Sequence, residues 1–165
     1  MNKQTLRNAI LAERKSLDSN FIQHNSQKIF QQYQKFNFSK NSIIACYSPI
    51  HGEVDTKLII EDACIILLPK VIQGSRILEF YEIFSNKIYL PEIILAPLVA
   101  FDKHGSRLGY GGGYYDATLN YYKTINHNPL YIGLAYDFQE VTKIDTDNYD
   151  VPLQGVITNS KKLMF

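Results

Sequence analysis

No charge of either sign dominates this sequence: 17 lysines and arginines face 16 aspartates and glutamates, a formal net charge of +1. A field of that size cannot hold a nucleic-acid backbone or an anionic membrane surface, although a local anion site is compatible with it. Cysteine is scarce as well. Cys46 and Cys64 stand in or beside apolar runs and lack Cys-x-x-Cys spacing, which predicts two reduced core thiols in a cytosolic protein rather than a disulfide framework. Long apolar runs are also missing. The longest, residues 93–101, has nine residues and contains Pro97, whereas a membrane-spanning helix takes about 20. Residues 1–11 mix Lys3 and Arg7 with scattered apolar side chains and have no secretion-signal core or cleavage site, so they are expected to stay on the mature protein. With 45% hydrophobic residues in 165 and no repeat or linker, the expectation is one soluble domain over 1–165.

What is present is periodic. Leu6, Ala9, Ile10 and Leu17 predict a helix over 3–17 with Lys3, Arg7, Arg14 and Lys15 around the rest of it. Asp18 can cap a second helix carried by Ile22, Ile29, Phe30 and Tyr33 to about residue 35. Residues 43–47 read as a buried strand, Thr56 as the cap of a short helix to residue 63, and 65–68 as a second buried strand stopped by Pro69. That β-α-β order implies a parallel pair. Residues 77–83 alternate like an edge strand, 93–96 and 130–135 read as strands, 115–122 as a helix, and 156–158 as the last strand. The class is α/β, a mixed, mostly parallel central sheet with helices on both faces in three layers.

Ligands of open α/β sheets bind at the carboxyl ends of strands, and one loop after a buried strand is unusual. It reads Phe101-Asp102-Lys103-His104-Gly105-Ser106-Arg107-Leu108-Gly109-Tyr110-Gly111-Gly112-Gly113-Tyr114-Tyr115-Asp116 and holds five of the nine glycines. One glycine suffices for a tight turn, so this density implies a close approach to the backbone. Unpaired N–H groups ahead of a helix receive phosphate oxygens, and Arg107 adds a permanently charged fork. Asp116 can cap the helix or hold magnesium, and Tyr110, Tyr114 and Tyr115 offer flat surface to a ring-shaped substrate. Neither a Walker A loop nor a dinucleotide Gly-x-Gly-x-x-Gly is present, so the residues alone define an anion site and not a reaction.

Over its whole length this segment resembles the most diagnostic stretch of the 5-formyltetrahydrofolate cyclo-ligases, or 5,10-methenyltetrahydrofolate synthetases. Lys3-Gln4-Thr5-Leu6-Arg7 is similar to that family's N-terminal Lys-x-x-Leu-Arg, and Gly52-Glu53-Val54-Asp55-Thr56 to its folate-binding loop. Tyr149-Asp150-Val151-Pro152-Leu153-Gln154-Gly155-Val156-Ile157-Thr158 resembles its closing segment, with Gln154 where the family usually has an acid, and Gly133-Leu134-Ala135-Tyr136 fits the strand before it. Residues 64–92 are shorter than in the family and lack its Glu-Pro element.

The resemblance implies that ATP is bound by Lys3, Arg7, Arg107, Leu108, Gly109, Tyr110, Gly111, Gly112, Gly113, Tyr114 and Tyr115. It implies that the folate is bound by Ser48, Glu53, Tyr110, Gly111, Gly112, Gly113 and Tyr114, that magnesium is held by Asp116 and Asp150, and that Arg107 is catalytic. The implied reaction is attack of the formyl oxygen on the γ-phosphate followed by ring closure, with no protein nucleophile, in a cytoplasmic monomer. His51 and His104 lie near both loops but have no required part, and His24 and His127 read as surface residues. Two other readings stand beside this one: a nucleotide- and folate-binding relative without turnover, and an RNA-binding platform of Arg107 and the tyrosines, which the near-neutral charge disfavours.

Overall fold

The computed structural model describes residues 2–165. Helix α1 (Lys3–Lys15) is capped by the Asn2 side chain, which accepts from the Thr5 N–H at 2.8 Å, and α2 (Ser19–Gln34) by Asp18, which accepts from Phe21. Strand β1 (Ile43–Ala45), helix α3 (Lys57–Asp62) and strand β2 (Ile65–Val71) form a parallel β-α-β unit, and β3 (Leu78–Glu82) returns antiparallel along β2 as the sheet edge. Then follow β4 (Ile93–Pro97), β5 (Ala100–Asp102), β6 (Arg107–Leu108), α4 (Tyr114–Thr124), β7 (Leu130–Leu134), β8 (Glu140–Val141), β9 (Gly155–Ile157) and β10 (Lys162–Met164). The main sheet runs β10-β9-β7-β4-β1-β2-β3, parallel inside with an antiparallel strand at each edge.

Alternation along the inner strands sorts their side chains onto two faces. Ile93, Leu95 and Ile132 pack with Ile29 and Tyr33 of α2 and Ile59 of α3, whereas Ile94, Ala96 and Tyr131 pack with Leu119 and Tyr122 of α4. The expected α/β class with helices on both faces is the observed one.

Several local expectations differ from the structure. Pro69 does not stop its strand, because β2 continues to Val71. The Cys46 N–H donates to the Leu67 carbonyl, so Leu67 and Pro69 turn the same backbone edge toward β1. Since β1 ends at Ala45 opposite Leu67, the absent N–H of Pro69 falls where no partner strand remains. Thr56 does not cap α3 through its side chain; its hydroxyl donates to the Tyr47 carbonyl, and Asp55 accepts from the Lys57 N–H instead. Residues 156–158 are not the last strand, as β10 follows and closes the sheet edge. Cys64 is exposed, not a core thiol, because it lies on the solvent side of the turn between α3 and β2; Cys46 is buried, and burial pushes its thiol up to about 12. His127 is half-buried, with Nε2 2.8 Å from the Pro91 carbonyl.

Candidate active site

Connections leave β1 and β4 in opposite directions, β1 through α3 to β2 and β4 through the glycine segment and α4 to β7. Neighbouring strands whose connections diverge leave a crevice at their carboxyl ends. A cleft of about 540 Å3 lies there, lined by Ser48, Ile50 and Glu53 after β1, by residues 107–116 after β4, by Lys3 and Arg7 of α1, and by Asp147 and Asp150. Pro69, Val71 and Leu78 from β2 and β3, with Tyr47 and Pro97, give it an apolar side. No periodicity announced that side, since it depends on which strands pair.

The glycine segment is not a plain loop. Its first half folds into a second sheet, β6-β5-β8, in which Ala100 pairs with Leu108. Asp102, 1% exposed, ties the turn: its carboxylate accepts from the N–H groups of His104, Ser106 and Ile144 at 2.9 to 3.1 Å. Burial pushes that carboxyl up, but the backbone donors outweigh it and hold it below the usual carboxylate range. Gly105 is buried against the Leu153 carbonyl and serves this turn, not the cleft. Leu108 turns its side chain into the cluster of Ile10, Val99 and Ile144, so only its backbone remains for a ligand.

The second half is open. Gly111 and Gly113 have φ of +101° and +67°, which side chains rarely adopt, and Gly113 starts α4 with no side-chain cap. Asp116 therefore does not cap the helix. Its Oδ1 lies 2.9 Å from Arg107 NH2 and accepts from the Val151 N–H at 3.0 Å. The Arg107 side chain is only 7% exposed, with its guanidinium over the rings of Tyr115 and Tyr131, 5.8 and 5.3 Å from their centroids. It is paired with Asp116 by distance only: Nε and NH2 have no well-directed acceptor, and neither does the buried Tyr131 hydroxyl a partner, among the described residues.

Helix α1 supplies the third wall. Lys3, Arg7, Ile10 and Arg14 stand at intervals that form one stripe. Lys3 Nζ binds Asp147 and Asp150 at 2.8 and 3.0 Å, and Arg7 Nε donates to the Gly109 carbonyl at 2.9 Å. The bond to Asp147, and then those to Asp150, raise the Lys3 pKa against burial; burial raises that of Asp150, but the Asp147 N–H and Lys3 bring it down. Arg14 does not face solvent as expected: it is 1% exposed. The spacing of residues 3, 7, 10 and 14 carried the signal, since a stripe led by two cleft residues reaches Arg14 one turn beyond Ile10. Glu53 is buried, with Oε1 accepting from the Tyr110 hydroxyl at 2.6 Å and Oε2 from the Ile50 N–H at 2.8 Å. The Tyr136 hydroxyl donates to the Glu53 carbonyl. The residues expected from the resemblance thus meet at one cleft. His51 and His104 do not line it. Gln154 also lies outside it and exchanges backbone hydrogen bonds with Tyr131 through its side chain and N–H.

Among known proteins, residues 87–159 match the model of the 5-formyltetrahydrofolate cyclo-ligase family. The 5-formyltetrahydrofolate cyclo-ligase of Escherichia coli (strain K12) is 44% identical over 70 residues, 42% of this chain and only 37% of that relative's length. The one from Mycoplasma pneumoniae is 34% identical over 168 residues, spanning 96% of this chain and 99% of the relative. The solved structure of a 5,10-methenyltetrahydrofolate synthetase from Mycoplasma pneumoniae superposes with a TM-score of 0.82 at 31% identity, over 96% of this chain and 99% of that one. With a relative matched end to end in sequence and in fold, the chain belongs to the 5-formyltetrahydrofolate cyclo-ligase family.

Proposed function

We propose that this chain catalyses the ATP-dependent cyclisation of 5-formyltetrahydrofolate to 5,10-methenyltetrahydrofolate with release of ADP and phosphate. The observation that carries the reading is the pairing of an uncapped glycine turn and under-used Arg107 with the buried Glu53 carboxylate across one cleft. The glycine N–H groups, Arg107, Lys3 and Arg7 suit a triphosphate, and the apolar side with Glu53 and Ser48 suits a folate ring. The formyl oxygen attacks the γ-phosphorus, ADP leaves, the second folate nitrogen closes on the activated carbon and gives up its proton to solvent, and phosphate departs. The protein's part is alignment of the two substrates and neutralisation of charge on the transferring group.

Magnesium fits this donor set. Among the described residues no cluster of three or more His, Cys, Asp or Glu forms a protein-only cage, but magnesium commonly takes one or two carboxylates beside substrate phosphates. Protein contacts fall on Oδ1 of Asp116 and on Oδ2 of Asp150, and the second oxygen of each remains for the ion. Bound there, it would neutralise phosphate charge. No helix among the described residues is long and apolar enough to cross a membrane, and a net charge of +1 gives no field to hold a nucleic-acid backbone.

The test is the absorbance of the methenyl product in the presence of ATP, magnesium and 5-formyltetrahydrofolate, with Asp116→Asn beside the wild type. Product formation that the variant slows supports the assignment. Binding of both substrates without product would instead make this a binder that lacks turnover.

A further inference from the structure

The buried Arg14 guanidinium distributes its donors over three separate stretches of chain. Nε donates to the His51 carbonyl and NH1 to the Leu98 carbonyl, both at 3.0 Å, and NH2 donates to the Tyr110 hydroxyl. NH2 also lies 3.8 Å from Glu53 Oε1, the oxygen that accepts from Tyr110. The loop after β1, the chain leaving β4 and the glycine turn therefore meet on one side chain. Gly52 makes the contact possible: at φ +72° it lies so close to the Arg14 carbonyl that a Cβ there would come within 2.5 Å. Burial and the neighbouring Glu53 raise the Tyr110 pKa, so its phenol stays a donor to that carboxylate.

A core that needed only filling would gain nothing from a charged pair here, because well-packed apolar side chains serve at least as well as a buried ion pair. What apolar residues could not do is fix two cleft-lining polar groups relative to each other. We propose that Arg14 is a positioning residue that locks Glu53 and Tyr110 into one hydrogen-bonded unit, setting the folate-facing wall against the glycine turn. This rests on the reading of Glu53 as the folate-facing acid. Arg14 does not line the cleft; it acts through Glu53, whose negative charge it balances, and through Tyr110, whose ring it holds from 5.4 Å.

The experiment compares Arg14→Gln, Tyr110→Phe and the double variant. KM for each substrate is measured in the absorbance assay, and 5-formyltetrahydrofolate binding without ATP by calorimetry. Loss of a hydrogen bond to a charged group predicts a rise in the folate KM and Kd on the order of tenfold for Arg14→Gln, with the ATP KM moving far less. The double variant should lose no more than the worse single one, as expected for side chains acting as a unit. If Arg14→Gln does not fold, Tyr110→Phe decides, since it removes one hydroxyl from a side chain that is 39% exposed. Unchanged folate binding in folded variants, or equal rises in both KM values, overturns the proposal. A wild type that binds folate without turnover overturns the proposed reaction alone, and calorimetry still decides the role of Arg14. A wild type that does neither overturns both.

Discussion

Arg14 and Arg107 have nearly buried side chains, 1% and 7% exposed, the first behind the cleft wall and the second in its lining, and they differ in how completely the fold uses them. Arg14 spends donors on two carbonyls and a hydroxyl, whereas Arg107 rests on two aromatic rings beside Asp116 with Nε and NH2 lacking acceptors. Buried guanidinium donors left without partners cost free energy, and folded proteins rarely keep them without a reason. On the proposed function, the satisfied arginine organises the protein and the under-used one holds donors for a ligand.

Removing Arg107 should expose this difference most strongly. Arg107→Ala is expected to lose roughly 2–4 kcal/mol of transition-state stabilisation, the usual consequence of deleting one preorganised donor. Its thermal stability should fall little, because Asp116 keeps the Val151 N–H. Undiminished turnover in the absorbance assay would remove Arg107 from the mechanism and erase its functional difference from Arg14.

The contrast was only half legible in the sequence. Glycine density and its position before a helix marked the turn that holds Arg107, because local backbone chemistry is written locally. Glu53, Ser48 and Asp150 came from the family resemblance, since no spacing relates side chains that only the sheet order brings together. The parallel core was readable from apolar runs of strand length, but the strand through Pro69 was not, because its tolerance depends on where the neighbouring β1 ends. The small sheet inside the glycine segment was hidden for a similar reason: β6 has only two residues and its partners lie elsewhere in the chain. Arg14 was misplaced because a charged residue on a helix reads as solvated until its stripe is followed back to Lys3 and Arg7.

Asp102 extends the comparison to carboxylates, being satisfied by the fold in the way that Arg14 is. Asp102→Asn should cost about 1–3 kcal/mol, since an amide NH2 cannot accept all three backbone bonds. The pH dependence has a definite sign. The folded carboxyl lies below its usual range, and the unfolded value is about 3.9. Its stabilisation is therefore complete above that value and is lost as pH falls through the depressed folded value. Chemical denaturation followed from pH 6 downward should show the wild type weakening below about pH 4, with a shallower acid slope in Asp102→Asn. Equal slopes would mean that other carboxylates dominate the acid limb.

The smallest effect on stability is expected at Lys3, the counterpart of Arg107 at the cleft mouth. Its ammonium bridges Asp147 and Asp150, but the Asp147 side chain is 77% exposed, and ion pairs this open contribute about 0–1 kcal/mol. Lys3→Met should therefore shift Tm by no more than about 2–4 °C. Function should respond differently, because a cation whose present partners are weakly held can exchange them for phosphate oxygens without much loss. The KM for ATP should rise in Lys3→Met and should depend less on salt than in the wild type, since one screened attraction is gone. A marked fall in Tm with an unchanged KM would show that Lys3 fastens the 147–150 turn to α1, and would move it from the ligand-facing group to the side of Arg14.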